Sequence, residues 1–499
     1  MTKRGLASSA VVAALLVSRA AGAQQQLVAQ PDSPQWLKDR SFNQGAGVRT
    51  GDLELHPGIA GEVGYDSNWF YRTSNAGPAP GGYLNGPPNA PVVPALEFRV
   101  TPSLYLSTLG PQRRQNDLVA QPPSVAFRAG VNATYREFVG LANTSAPAGA
   151  TTNPNDISQQ RNIGGAADAR LDILPERPIG AGLFASYSRV IQPNQGSADP
   201  NLSFNRDDVN AGGEIITQPG SGTLDWRFGY QFHDSIYEQT AGQPFDSISN
   251  EAYTRGRWKF RPLTALIYDA SLRFVSYTNS SQALATEGLV NSTPVRARLG
   301  INGLVTDRFA FLGLIGWGAS FYDTGTQKAQ PQYDSVIGQA ELKWFLSAGP
   351  GVANPSDVSL ALSSIALGYT RDFQNSLIGN YYGLDRGYLR FSYFFAGRAL
   401  LTLEGGVGAV EYPTILWGGA GGGVAAGSVR ANAFTDIRAD ATLFTEYRFT
   451  DAFGVNATLR YTANFSNTQI QEIEGGNNQT LFDMSWNRFE AFLGVRYFL

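Results

Sequence analysis

Val455-Asn456-Ala457-Thr458-Leu459-Arg460-Tyr461-Thr462-Ala463-Asn464-Phe465 carries an apolar side chain at every odd position and a polar one at every even position. A period of two is the side-chain period of a strand. So clean a division means that one face meets an apolar phase while the other meets water. The pattern recurs upstream. Val125, Phe127, Ala129, Val131, Ala133 and Tyr135 alternate with Arg128, Gly130, Asn132, Thr134 and Arg136. Leu224, Trp226, Phe228, Tyr230 and Phe232 alternate with Asp225, Arg227, Gly229, Gln231 and His233. Phe228 and Leu459 are thereby assigned to the apolar phase, and Gly229 and Thr458 to the wet side, where an arginine should be tolerated better.

From Leu53 to the last residue such segments follow one another with no sign of a second domain. They number about 18 (roughly 16 to 20), and an even count suits a single-chain bacterial barrel. The first three span 53–65, 95–106 and 124–138, and the last spans 482–499. Connections mostly alternate in length. Those at 175–178, 218–222, 261–262, 306–308, 396–397 and 450–451 are short, whereas 67–94, 140–159, 279–292, 412–428 and 466–480 are long and rich in Gly, Pro, Asn and Ser. The expected fold is all-β: a transmembrane antiparallel up-and-down β-barrel with short periplasmic turns, long extracellular loops and both chain ends in the periplasm. Two features strain this reading. Pro57 and Pro102 fall inside strands, where each removes a ladder donor, so a bulge or a shifted boundary is expected. The connections at 107–123 and 347–356 are also long for periplasmic turns.

Composition agrees. The 499 residues include 56 Gly, 22 Tyr, 29 Phe and 8 Trp, a profile that favours strands and turns. A mean hydropathy of -0.19 does not argue against a membrane, because only alternate residues of a barrel face lipid. The absence of Cys excludes disulfides and thiolate zinc clusters, and a net charge of -3 gives no reason to propose nucleic acid as a partner. Lys3 and Arg4, an apolar run over 6–17 and the small residues Ala21-Gly22-Ala23 form a secretory signal, so residues 1–23 are expected to be removed. Residues 24–52 read as a short polar periplasmic segment and 53–499 as the barrel.

The final segment presents Phe489, Ala491, Leu493, Val495, Tyr497 and Leu499 on one face and Arg488, Glu490, Phe492, Gly494, Arg496 and Phe498 on the other. Val495, Tyr497 and Leu499 resemble the C-terminal signature of outer-membrane barrels, with an aromatic third from the end; Leu499 stands where Phe is usual. Gly64-Tyr65-Asp66-Ser67-Asn68-Trp69-Phe70 resembles the early Tyr-Asp-x-Asn-x-Phe pattern of the second β-barrel porin family. The resemblance implies a porin-like outer-membrane protein, and barrels of this kind also occur beside exopolysaccharide export systems. Implied partners are outer-membrane lipids and lipopolysaccharide, the barrel-assembly machinery and periplasmic export components. Asp66 and Asn68 are also ordinary turn formers at a strand end.

At about 18 strands a barrel leaves an aqueous lumen unless something fills it. The loop at 67–94 is a candidate constriction, or else a surface loop. Inward positions carry both signs: Arg99, Arg128, Arg136, Arg170, Arg227, Arg460 and Arg496 among Glu62, Glu97, Asp168, Asp172, Asp225, Asp440 and Glu490. Arg255, Arg257, Lys259, Arg273, Arg296 and Arg298 fall on neighbouring strands with Asp269 as the obvious counter-charge. Such a basic wall favours anionic solutes; an ion-pair network supporting the barrel is the alternative. Catalysis has little to stand on. The histidines are His56 and His233, no serine, acid and histidine spacing singles itself out, and no metal or cofactor is expected. The run 418–423 lacks the lysine and strand-to-helix setting of a phosphate loop. The first expectation is a transport barrel, either a diffusion porin or an export conduit. The alternative is a structural or surface-binding barrel without an open pore, and a membrane-embedded hydrolase stands third.

Overall fold

The computed structural model describes residues 47–73, 92–108, 124–141, 156–175, 177–192, 204–219, 223–284, 288–306, 308–323, 331–346, 363–395, 398–416, 427–474 and 478–499. The expected signal segment 1–23, most of 24–52, and the runs 74–91, 109–123, 347–356 and 418–423 lie outside them.

Eighteen strands form one closed antiparallel sheet: β1 (Leu53–Asp66), β2 (Ala95–Thr108), β3 (Val125–Gly140), β4 (Asn162–Ile173), β5 (Ile179–Val190), β6 (Arg206–Thr217), β7 (Leu224–Tyr237), β8 (Ser247–Arg261), β9 (Thr264–Tyr277), β10 (Ser292–Thr306), β11 (Phe309–Tyr322), β12 (Tyr333–Phe345), β13 (Ser364–Ser376), β14 (Asn380–Phe395), β15 (Ala399–Tyr412), β16 (Phe434–Arg448), β17 (Phe453–Phe465) and β18 (Trp486–Phe498). Each strand pairs with the next, and β18 returns to β1 in a ladder running from Gly58–Phe498 to Asp66–Glu490. The segment before Leu53, expected to be short, polar and periplasmic, contains one more strand, Val48–Thr50, which pairs with the start of β1.

Alternation sorts side chains as the sequence requires. Phe228 and Leu459 face outward at 48% and 42% exposure, in a belt that also holds Leu299, Ile315, Leu367, Leu389, Val407 and Leu493. Large apolar side chains in such numbers are stable outside a barrel only in lipid. Aromatic residues border the belt. At one end lie Trp258, Phe260, Phe309, Trp344, Tyr447 and Phe453. At the other, Trp317 donates to Asp334 (2.6 Å), Tyr187 donates to Asp207 (2.7 Å), and Tyr135 and Tyr369 bond Glu137 and Asp385. Polar tips among carboxylates at that level mark a membrane–water boundary. The protein is a multi-pass β-barrel of the bacterial outer membrane.

The prolines are accommodated without a bulge. The β2–β3 ladder lapses after Val100–Tyr135 and resumes at Ser103–Asn132 in unchanged register, so the N–H that Pro102 lacks leaves a short break in the ladder and not a bulge. Thr101 and Thr134 span that gap with a 3.1 Å hydroxyl contact. Pro57 lies just beyond the end of the β18 ladder and offers its carbonyl to the Leu499 N–H at 3.0 Å.

Two extracellular loops carry small hairpins, Ile415–Leu416 with Val429–Ala431 and Gln469–Glu474 with Asn478–Asp483. A larger departure concerns β13 and β14. β12 and β13 share a ladder only from Gly338–Arg371 down to Phe345–Ser364. β14 joins β15 only from Gly383–Glu411 downward. Between these limits β13 and β14 stay paired with each other up to Ser376–Asn380. The upper part of this hairpin has therefore left the wall.

Candidate functional site

The inward faces place arginines beside carboxylates around much of the lumen. Arg170 on β4 bonds Asp172 (2.7 Å) and Glu214 on β6. Glu214 also accepts from Arg227 (3.3 Å) and from the Tyr253 hydroxyl (3.2 Å). Arg227 and Arg257 share Asp225, at 3.2 and 3.3 Å. Asp168 is buried on the same face as Arg170, and Arg128 lies opposite Arg170 in register. Across the lumen, Arg386 bonds Asp440 (2.6 Å) and Arg390 bonds Glu404 (2.8 Å).

The six residues of the expected basic wall occupy the inward face of β8, β9 and β10, alternating with outward Trp258, Phe274 and Leu299. Their surroundings differ. Arg298 grips Asp269 through two nitrogens at 2.8 and 2.5 Å. Arg273 bonds Glu251 at 2.6 Å, and Arg296 reaches Asp372 on β13 at 3.1 Å. Arg257 keeps a half-exposed side chain beside Asp225. Arg255 lies over the Tyr253 ring at 4.6 Å, and Lys259 shares its face at the periplasmic end of β8. Only Asp269 was visible as a counter-charge from sequence spacing. Glu251, Asp225 and Asp372 come from strands one to three places away in the sheet.

Gly229 departs from expectation. The Tyr253 ring lies over it, so that a Cβ there would sit 2.1 Å from the ring, and any side chain displaces Tyr253. Thr458 is likewise buried. Neither is the open lumen position that alternation alone implied.

The closing seam is dense. Glu97 accepts from Nε and Nη2 of Arg99 at 2.6 and 3.0 Å. Glu490 meets Arg460 and Arg488, each at 3.3 Å, and Arg496 bonds Glu446. Val495, Tyr497 and Leu499 face outward. The stretch 64–70 folds into the mouth beside the seam. The Asn68 side chain accepts from the Arg72 N–H (2.9 Å) and donates to the carbonyls of Arg72 and Asn487 (each 2.8 Å). Tyr71, at a φ of 51°, turns its ring edge-on to Trp486. Trp69 and Phe70 are buried with Phe138, Ile157 and Ile191, so this part of the first loop lines the mouth. Burial brings the Arg72 guanidinium down to about 10.

The β13–β14 hairpin crosses the same mouth. At its tip, Leu377 packs against Tyr237, Phe245, Tyr277 and Leu289 at the tops of β7 and β9. The adjacent Ile378 packs against Ile415, Ile470 and Met484, beside β15, β17 and β18. One turn thus touches walls about half the sheet apart. Phe373 has the parity of the outward Leu367 and Tyr369, yet it is fully buried and stacks on the inward Tyr333 at 4.3 Å. Sequence reading missed this element because its alternation is that of any wall strand; the signals available were Arg371 on the lipid-side face and the tight Gly379-Asn380 turn.

His233 lies 3.1 Å from the Ser235 hydroxyl, but Ser235 itself donates to Asp208 at 2.5 Å. In a hydrolytic triad the carboxylate orients the histidine and leaves the hydroxyl free to attack. Here the carboxylate holds the hydroxyl instead.

The sequence matches no protein-family model and no curated protein. Among solved structures, it is similar to OccAB4 of Acinetobacter baumannii (10% identity over 89% of this chain and 98% of that one, TM-score 0.39). It is also similar to a BenF-like porin of Pseudomonas fluorescens Pf-5 (9% identity, 90% and 99%, TM-score 0.41) and to the FrpB iron transporter of Neisseria meningitidis, F5-1 variant (9% identity, 91% and 83%, TM-score 0.43).

Proposed function

We propose that the chain is a porin-like channel passing polar solutes across the outer membrane, non-enzymatic and without a cofactor. The observation that carries this reading is the inward lining of arginines and carboxylates in a barrel of eighteen strands, a width that leaves room for water. Arg255, Arg257 and Lys259, on the inward face of β8, give that water a modest preference for anions. The resemblance of 64–70 to the second β-barrel porin family makes an exopolysaccharide conduit, working with periplasmic export components, the more specific form of the proposal. Lipopolysaccharide around the outer rim, and an assembly machinery reading Val495, Tyr497 and Leu499, are the partners this reading implies.

A closed structural or surface-binding barrel is the second reading, favoured by the hairpin across the mouth. Planar-bilayer recording separates the two. The channel reading expects ion conduction and a reversal potential on the anion side, moving towards cations when Arg255, Arg257 and Lys259 are changed together to Gln. The shift should shrink as salt is raised, since lumen charges are screened beyond about 8 Å at physiological ionic strength. Arg296 and Arg298 are unsuitable targets for Glu, which would set a second carboxylate against Asp372 or Asp269. A folded barrel that stays silent, even with its mouth hairpin removed, favours the closed reading.

A further inference from the structure

We propose that the β13–β14 hairpin from Asp372 to Tyr382 is a gate: folded into the lumen it closes the extracellular mouth, and zipped onto the free edge of β12 it opens it. The proposal rests on the channel reading above.

The wall retains a vacant place for the hairpin. Among the described residues, Tyr333–Ile337 of β12 pair with β11 but with no strand on the other side. Continuing the Gly338–Arg371 register sets Ile337 opposite Asp372 and Tyr333 opposite Ser376, so the free edge and the departed segment match in length and phase. On the far side, continuing Gly383–Glu411 sets Tyr382 opposite Tyr412. Sequence alternation still encodes the wall position: Phe373 carries the parity of the lipid face although the structure holds it inside. Two positions that each satisfy the backbone or the side chains, but not both together, make a bistable element.

The inward position is held by side chains from β10 and the loop before it. Arg296 donates through Nε to Asp372 at 3.1 Å and through Nη2 to the Phe373 carbonyl at 2.5 Å, with its guanidinium 4.2 Å from the centre of the Phe373 ring. Asn375 donates to the Ser292 hydroxyl at 3.1 Å. Asn380 accepts from the Val290 N–H (2.9 Å) and donates to the Gly288 carbonyl (3.2 Å). Arg296 is the latch, because it alone among these is charged and binds both side chain and backbone of the hairpin.

The natural chain has no Cys, so introduced pairs can be cross-linked cleanly. Ser292→Cys with Asn375→Cys, joined by a short reducible bis-thiosulfonate, traps the inward position. Val336→Cys with Phe373→Cys, neighbours in the continued register, traps the outward one. In planar bilayers the first cross-link should cut conductance about tenfold or more, with recovery on reduction, and the second should hold it high. Asp372→Asn, which removes the charge-assisted bond, should raise the open fraction about tenfold. The gate is overturned if the inward cross-link leaves conductance unchanged, or if the outward pair never cross-links in folded protein. Replacing 372–382 with a short Gly-Ser turn keeps the two proposals apart. If that variant folds and conducts while neither cross-link has an effect, the gate fails and the channel stands; if it folds and stays silent, the channel reading fails.

Discussion

Arg488 Nη2 lies 2.5 Å from Asp66 Oδ2, although 422 positions separate the two residues in the chain. The guanidinium also donates through Nε to the same carboxylate and through Nη1 to the Tyr71 hydroxyl, and its carbon sits 4.7 and 5.2 Å from the Tyr71 and Trp69 ring centres. The first and last strands are thus joined by a buried ion pair as well as by their ladder.

Arg488→Met leaves Asp66 without its charge partner, and breaking a buried pair on one side costs about 3–5 kcal/mol. The expected result is folded protein whose heat-modifiable band on unboiled gels collapses at a clearly lower temperature. Arg488→Lys should rescue only part of this, because an ammonium cannot span both carboxylate oxygens. An unchanged transition in Arg488→Met would show that the ladder alone secures the seam.

Phe228→Arg and Leu459→Arg should each impair assembly, since an arginine facing lipid near the midplane costs about 2–4 kcal/mol in a barrel. The control is Asn302→Arg, on the inward face of β10 and exposed. Outer-membrane yield measured for the three should fall for the first two and hold for the third. Equal loss in all three would contradict the assignment of faces.

Thr101→Val removes the hydroxyl contact across the gap at Pro102 and should destabilise the barrel by about 1 kcal/mol in urea unfolding from detergent. Pro102→Ala restores a donor at the interrupted ladder. Combined with Thr101→Val, it should recover most of that loss; failure to recover would mean the gap is not set by the missing N–H.

Gly379 has a φ of 74°, and a Cβ there would lie 3.0 Å from Ile415. Gly379→Ala should therefore cost about 1–2 kcal/mol, concentrated in the mouth hairpin. Hydrogen exchange should speed up at 374–382 while the β13 residues below Arg371 stay protected. Uniform acceleration through β13 would tie the turn to the wall itself.

The staves were legible because each carries its own two-faced pattern, as β17 does from Val455 to Phe465, and eighteen repetitions leave few alternatives. Loop polarity was legible for the same local reason. What escaped were relationships between distant segments. Asp66 and Asn68 read as turn formers, and nothing local ties them to Arg488 or to the Asn487 carbonyl. The basic residues of β8, β9 and β10 were found, but Arg296 takes its carboxylate from β13, which alternation alone does not position. The departure of Asp372–Tyr382 from the wall is invisible to periodicity, since a strand that swings inward keeps its period; the free edge it leaves on β12 exists only in the assembled sheet.

The two aromatic borders also set the thickness of bilayer that the protein accepts. On β11, Phe309 belongs to the periplasmic border and Trp317 to the extracellular one. Eight residues at about 3.4 Å each span about 27 Å along the strand, and a tilt of about 40° reduces that to about 21 Å along the membrane normal. Typical bilayers have a hydrocarbon core of about 30 Å, and the bacterial outer membrane is thinner than average. A chain inserted by error into the thicker inner membrane would have to thin the lipid around its whole circumference or sink Asp334 and Asp385 towards hydrocarbon. Hydrophobic mismatch therefore acts as a sorting term of its own, independent of any signal read from the ends of the chain.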